Sequence, residues 1–294
     1  MMIRRCVPLA IAACLGLVAC GGGETVPAAP TTSAPPPPTA TAEATAEPEA
    51  PPPPPKINVD LMEAKPSPAP DKLPVVRIDG PGRDQPIAKH YAENYKLIYQ
   101  VTNWKSQPEG SYLQFILDNV PAKPVTDPSQ KVKLSDLTEG GKPIEEGEHI
   151  LALYVARNNH EIVKGPKSVV ARRFWVGKKK PSDWSWSKDP IMVIGPPHGT
   201  YDGDTAQEIL TDFFVLNAEL GDKKYSVRLT LNGPGIEDEG MKRYMTEWRP
   251  AVIWSPGDGE HTLKAELVQP DGEVAKVPWN PTERKFTVTG RTGK

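Results

Sequence analysis

"GEHILALYVARNNHEIVK", residues 147–164, lies without a gap over "GEHTLKAELVQPDGEVAK", residues 259–276. The register continues to "RRFWV" (172–176) over "RKFTV" (284–288). Upstream, "SYLQFILDN" (111–119) matches "YSVRLTLNG" (225–233), and "VVRIDGP" (75–81) matches "IMVIGPP" (191–197), with small gaps between blocks. The chain is therefore a tandem repeat, and about 105 residues per copy suits a β-sandwich.

Inside each copy, short runs of period two are separated by Gly, Pro, Asn and Asp turns. In the first copy they fall at 74–79, 96–104, 111–119, 131–137, 148–157 and 169–176. In the second they fall at 190–195, 211–219, 225–232, 249–255, 260–269 and 283–289. Many short strands with no sustained helical period predict an all-β fold. The stretch "DEGMKRYMTEW" (238–248) fits a helical turn and an irregular strand equally. The expected fold is two tandem Ig-like β-sandwich domains, at 74–178 and 190–290, joined by a linker over 179–189 and followed by a tail, 291–294. The copies resemble immunoglobulin-like or fibronectin-III-like domains of bacterial envelope proteins, without the inter-sheet Cys pair of true immunoglobulin domains.

The first twenty residues carry a second resemblance. Arg4 and Arg5 precede an apolar run from Val7 to Ala19, and Leu17-Val18-Ala19-Cys20 resembles the lipobox of bacterial lipoproteins. That resemblance implies a signal peptide over 1–19, cleavage before Cys20 and acylation of Cys20, with the lipid bilayer as a partner. An ordinary secretory signal is the alternative. Gly21 after the lipidated position is similar to the outer-membrane-sorted kind, which places the protein in a Gram-negative envelope, facing the periplasm or the outside. All three cysteines lie at or before residue 20, so the mature chain has no thiol beyond the acylated one.

Between Cys20 and Leu73 the chain is rich in Pro, Ala, Thr and Glu, as in "APPPPTATAEATAEPEAPPPPPK". Such a segment has too little apolar surface to offset the entropy of ordering and is expected to remain an unfolded tether over 20–73. Roughly 50 residues of polyproline II character reach about 100–150 Å when extended.

Charge is nearly balanced, with 35 basic and 37 acidic residues, which gives no electrostatic reason to expect a nucleic-acid partner. No cofactor and no metal site is expected. "HEIVK" (160–164) begins like a zincin helix, but Lys164 stands where the second His is needed, and a surface turn explains it better. "YDGDTAQE" (201–208) offers Asp202, Asp204 and Glu208 without the remaining ligands of a calcium loop, so a polar turn is favoured. His149 and His261 hold the same place in both copies, which suits a structural job such as bonding a neighbouring turn. Trp184 and Trp186 in the linker suit packing against a domain face, with sugar stacking as the alternative. No catalytic residue is identified, and the chain is not expected to be an enzyme.

One contrast between the copies points to a site. In the second copy, Leu263, Ala265 and Leu267 alternate cleanly with Thr262, Lys264 and Glu266. In the first, the face opposite Leu151, Leu153 and Val155 carries Ile150, Ala152, Tyr154 and Ala156. If the third, sixth and seventh strands are neighbours, the outward residues converge. The candidate binding patch is then Tyr112, Gln114, Ile116, Ala152, Tyr154, Arg173 and Trp175, where the second copy is polar. Contiguous apolar surface of this kind marks a contact site. Three readings stay open: a partner protein or envelope polymer such as a glycan, cover by the second copy, the linker or a segment of the first copy itself, or a different strand order with no patch. The adopted expectation is a lipid-anchored binding or scaffolding protein. The alternative is a structural spacer whose apolar face is covered by its second domain.

Overall fold

The computed structural model describes residues 58–104 and 111–290. The expected signal peptide at 1–19, the lipidation site Cys20, the tether up to residue 57 and the tail at 291–294 lie outside the described residues.

The described chain is built of short strands. They are β1 (Asp60–Glu63), β2 (Val75–Gly80), β3 (Gln85–Ile87), β4 (Ile98–Thr102), β5 (Tyr112–Leu117) and β6 (Val120–Pro121). Then come β7 (Gly147–Ala156), β8 (Val169–Val176), β9 (Ile191–Ile194), β10 (Gly199–Asp202), β11 (Glu208–Thr211) and β12 (Phe213–Leu216). The last are β13 (Ser226–Asn232), β14 (Met241–Met245), β15 (Ala251–Trp254), β16 (Gly259–Val268) and β17 (Thr282–Thr289). Helix is confined to single turns such as Lys89–Ala92 and Leu134–Leu137. The fold is all-β, with several sandwich-like sheets in tandem.

Each copy has a large sheet of five strands. In the first its order is β3-β8-β7-β5-β6, and in the second β10-β17-β16-β13-β14. Both copies add a short strand in parallel to their last one, β3 to β8 and β10 to β17. The opposing layer is β2-β4 in the first domain. In the second it comprises the pair β9-β12 and the three-stranded sheet β1-β15-β11. Period-two alternation fills the space between layers. Leu113, Phe115, Leu151, Leu153, Val155 and Phe174 centre one core. Val227, Leu229, Leu263, Ala265, Leu267 and Phe286 centre the other.

The repeated histidines show how closely the copies agree. His149 Nε2 bonds Glu145 O at 3.0 Å, and His261 Nε2 bonds Gly257 O at 2.8 Å, each closing the turn that precedes its strand. Each imidazole also stacks on the phenylalanine opposite, His149 on Phe174 and His261 on Phe286. The copies then diverge. His149 Nδ1 meets Asp118 at 2.6 Å. In the second copy Gly233 closes on the ring instead, with φ of 154°, and a Cβ there would sit 2.1 Å from His261 Nδ1.

Three expectations need correction. Residues 131–137 do not form a strand: Leu134–Leu137 is a 3-10 turn, tied to the domain by the Leu134 N–H to Tyr95 O at 3.0 Å. Residues 208–211 add a strand that the period-two reading missed, whereas the stretch 238–248 takes the strand of its two alternatives, as edge strand β14. The tether expected over 20–73 does not extend to residue 73. β1 pairs antiparallel with β15, Leu61 opposite Ile253, and so belongs to the second domain although it precedes the first. Its physical cause is Leu61, which is 1 % exposed inside the second domain's core, with Val59 packed beside it.

Candidate functional site: the seam between the domains

The outward face of the first domain's large sheet is where the sequence placed a binding patch. The strand order β8-β7-β5 makes the three strands neighbours, and the register sets Gln114 opposite Tyr154, Ile116 opposite Ala152, and Ala152 opposite Ala171. Leu151, Leu153 and Val155 point into the domain core, and Ile150, Ala152, Tyr154 and Ala156 point away from it. The predicted residues are thus brought onto one face.

That face is not exposed. Tyr112, Ile116, Ile150, Ala152, Tyr154 and Ala156 form a third apolar core with Ile191 and Val193 of β9 and Phe214 of β12, all from the second domain. Trp184 of the linker and Trp279 border it. Tyr154 is only 2 % exposed. A side chain of this kind, fully withdrawn from water, contributes roughly 1.5–3 kcal/mol. The expectation of a free patch at Tyr112, Gln114, Ile116, Ala152, Tyr154, Arg173 and Trp175 is therefore corrected. The second domain has its own doubly apolar strands, "IMVI" (191–194) and "FFVL" (213–216), and their outward residues supply the matching surface.

The remaining patch residues also have internal partners. Gln114 is buried and donates from Nε2 to Phe115 O at 2.8 Å and to Ala122 O at 2.6 Å, within its own domain. Arg173 donates from Nε to Asp84 at 2.6 Å and from Nη1 to Trp184 O at 2.8 Å, and its guanidinium lies 5.0 Å from the Trp184 ring centre. Trp184 Nε1 in turn donates to the Glu148 carboxylate. Trp175 is buried, and among the described residues its Nε1 has no hydrogen-bond partner. The linker Trp residues pack as expected, Trp186 lying under the Arg83 guanidinium at 4.5 Å.

Polar contacts fix the seam's register. Asp212, fully buried between β11 and β12, accepts the Ile162 N–H of the first domain at 2.8 Å. Lys164 Nζ of the same hairpin donates to both Asp212 oxygens, at 2.6 and 2.5 Å. Burial raises the Asp212 pKa, and the Lys164 ammonium with the Ile162 and Phe213 N–H groups offsets only part of that rise. On the other side Asn119 donates to Thr282 Oγ1 at 2.9 Å and accepts from Arg284 Nη2 at 3.0 Å. Burial pushes the Arg284 guanidinium down to about 10. Lys164 and Glu161 are the residues of the discarded zincin-like motif. Glu161, buried, accepts Ser67 N–H at 3.0 Å and the Ser67 hydroxyl. Their roles are structural bonds, which no motif in the sequence signals.

Exposed features lie elsewhere. Trp248, 38 % exposed, stacks on Phe214 with centroids 4.6 Å apart. It borders an open groove of about 510 Å³ that Pro166 of the first domain, Leu216 and Asn217 also line. No group of three or more metal-binding side chains occurs among the described residues. Asp202 and Thr205 cap a 3-10 turn at Gly203–Ala206 instead. No helix among the described residues is long and apolar enough to cross a membrane.

No protein-family model and no curated protein matches the sequence. Solved structures are similar only distantly. The fibronectin(III)-like modules of Clostridium thermocellum CbhA share 12 % identity, over 75 % of this chain and 97 % of theirs, with a TM-score of 0.26. A glucan-utilization protein of Bacteroides ovatus, SGBP-B, shares 11 % over 73 % of this chain and 70 % of its own, with a TM-score of 0.22. A putative membrane-anchored protein of Corynebacterium diphtheriae shares 10 % over 74 % and 59 %, with a TM-score of 0.21. Scores this low carry no functional argument.

Proposed function

We propose that the chain is a non-catalytic, lipid-anchored envelope scaffold, in which a Pro-rich tether carries a two-domain arm away from the bilayer. The observation that carries this reading is the interdomain core around Tyr154: the apolar outward face of the first domain's large sheet is used to join the domains. An arm closed in this way spaces or presents something, and a loose pair of binding modules has no need of such a seam. The lipobox at Leu17–Cys20 supports the anchor, with localisation in a Gram-negative outer membrane, and the composition of 21–57 supports the reach.

Anchoring is tested by Cys20→Ser. Acyl burial at about 0.8 kcal/mol per CH₂ supplies the membrane affinity in this account. The variant is expected in the soluble fraction of lysed cells after a high-salt wash. Its retention in the membrane fraction overturns the anchor.

A second reading has its own observation. The groove beside Trp248 lies at a domain seam and has an aromatic wall, the usual setting of a binding site for a protein or glycan partner. Under that reading, Trp248→Ala abolishes capture of envelope material by the purified arm and leaves its melting temperature within about 2 °C, as a surface change does.

A further inference from the structure

Residues 60–73 take an indirect path. The chain first pairs with the second domain through β1, where Arg243 Nε donates to Leu61 O at 2.9 Å and Ala64 N–H donates to Pro250 O at 2.8 Å. It then crosses to the first domain. There Ser67 is held by Glu161, Arg157 Nη2 donates to Pro68 O at 2.7 Å, and Leu73 packs over Gly165 before β2 begins. The segment that leads out of the tether is therefore fastened to both domains before either domain's own first strand.

We propose that residues 60–68 form a load-receiving clasp: tension arriving along the tether is taken by β1 and its Ser67–Pro68 strap, which release before either domain unfolds. The direction of load rests on the anchored-scaffold reading, whereas the docking does not. The order of release follows from size. β1 is a four-residue edge strand with one large buried side chain, Leu61, whereas each domain has a full core. Short edge elements with few buried contacts open at the low end of the local free-energy range. Without β1, load from the anchor reaches β2 and the first domain directly. With it, the second domain receives the load first and the seam remains closed while the clasp yields.

The test is single-molecule stretching of residues 21–294 between handles at Gly21 and Lys294, which removes every native cysteine. Freeing residues 60–73 adds about 50 Å of chain at roughly 3.5 Å per residue. The expected record is a first event of that size, followed by two much longer ones. The variant Met62→Cys with Val252→Cys joins directly paired, half-buried residues of β1 and β15. Paired residues on antiparallel strands lie within disulfide reach. Oxidation closes a covalent loop over residues 62–252 and lifts load from everything within it, so the short event and the first domain's long event are expected to vanish together, and reduction to restore both. If the double variant does not fold, Leu61→Ala substitutes, with the short event moved to lower force and the first domain's event unchanged. A first event of domain length in the wild type, or a short event unaffected by oxidation or by Leu61→Ala, overturns the proposal. Cys20→Ser fractionation decides the anchor separately, because stretching involves no membrane.

Discussion

The two domains use the same sheet face in opposite ways. In the second, Arg228 stands opposite Glu266, in the register that sets Gln114 opposite Tyr154 in the first, and Arg228 Nε donates to Glu266 at 2.8 Å. Lys264 adds a second bond to Glu266 at 2.8 Å. One fold thus accepts an ion-pair lattice at these positions, so the aromatic and aliphatic residues of the first copy answer to a neighbour and not to the fold. The neighbour is the second domain. The borrowing also runs the other way. The first domain takes its strands from 75–176, while the second completes its three-stranded sheet with β1, from the far side of the first domain. Two sandwiches of one sequence pattern thus share an apolar core, and a strand ahead of the first completes a sheet of the second.

The largest effect is expected from Tyr154→Glu. It removes a fully buried aromatic, which alone costs about 3–5 kcal/mol in a core, and it adds a charge with no partner in the seam. Thermal unfolding should show the two domains melting apart and earlier. A melting temperature within a degree or two of wild type contradicts the seam.

Lys164→Met comes next, because breaking a buried pair by removing one partner costs about 3–5 kcal/mol. Its pH dependence sharpens the reading. The Asp212 pKa is already raised by burial. Losing the ammonium raises it further, so the folded state holds its proton over a wider range than the unfolded state. Stability is then highest below the ordinary carboxylate value of 3.8 and falls as pH rises through the window above it. Denaturant titrations of the variant and wild type at acid and neutral pH should converge toward acid pH. A constant difference contradicts the assignment.

Leu61→Ala is expected to cost about 2–4 kcal/mol and to act on the second domain, whose core holds that side chain. Truncation to residue 74 should be at least as damaging. Undiminished stability after truncation would return residues 58–73 to the tether.

The smallest effect separates the two histidines. Burial alone lowers the His149 pKa, but the hydrogen bond and charge of Asp118 outweigh it and raise the imidazole above 6.5. The contribution of this pair is complete below about pH 6.5, the unfolded value, and is lost as pH climbs through the higher folded pKa. His261 has a glycine where His149 has its carboxylate contact. NMR titration should place the His149 midpoint above 6.5, and Asp118→Asn should bring it down. An unshifted midpoint in both forms contradicts the pairing.

Much of this was legible in the sequence. The gapless overlay of 147–164 on 259–276 located matching strands, and the clean alternation of Leu263, Ala265 and Leu267 showed which face of β7 points inward. The occupant of the other face was not legible from β7 itself, since apolar residues signal burial without naming what buries them. The answer lay in Ile191, Val193 and Phe214, on strands whose second face is also apolar. β1 was harder to see. Asp60–Glu63 is four residues beside a Pro-rich tract, and its partner β15 lies beyond an entire domain in the chain. The bonds of Asp212 and Glu161 are single polar contacts between distant segments, which no local pattern specifies.

The amide of Ile162 tests the central claim most directly. It belongs to a hairpin of the first domain and donates across the seam to the buried Asp212 carboxylate. Hydrogen exchange measured residue by residue on the chain is predicted to show this amide protected to the same order as Leu153 in the first domain's core, with the protection lost in Asp212→Ala. Exchange at the rate of an open hairpin in the wild type, with Leu153 still protected, would mean that the domains do not close on each other.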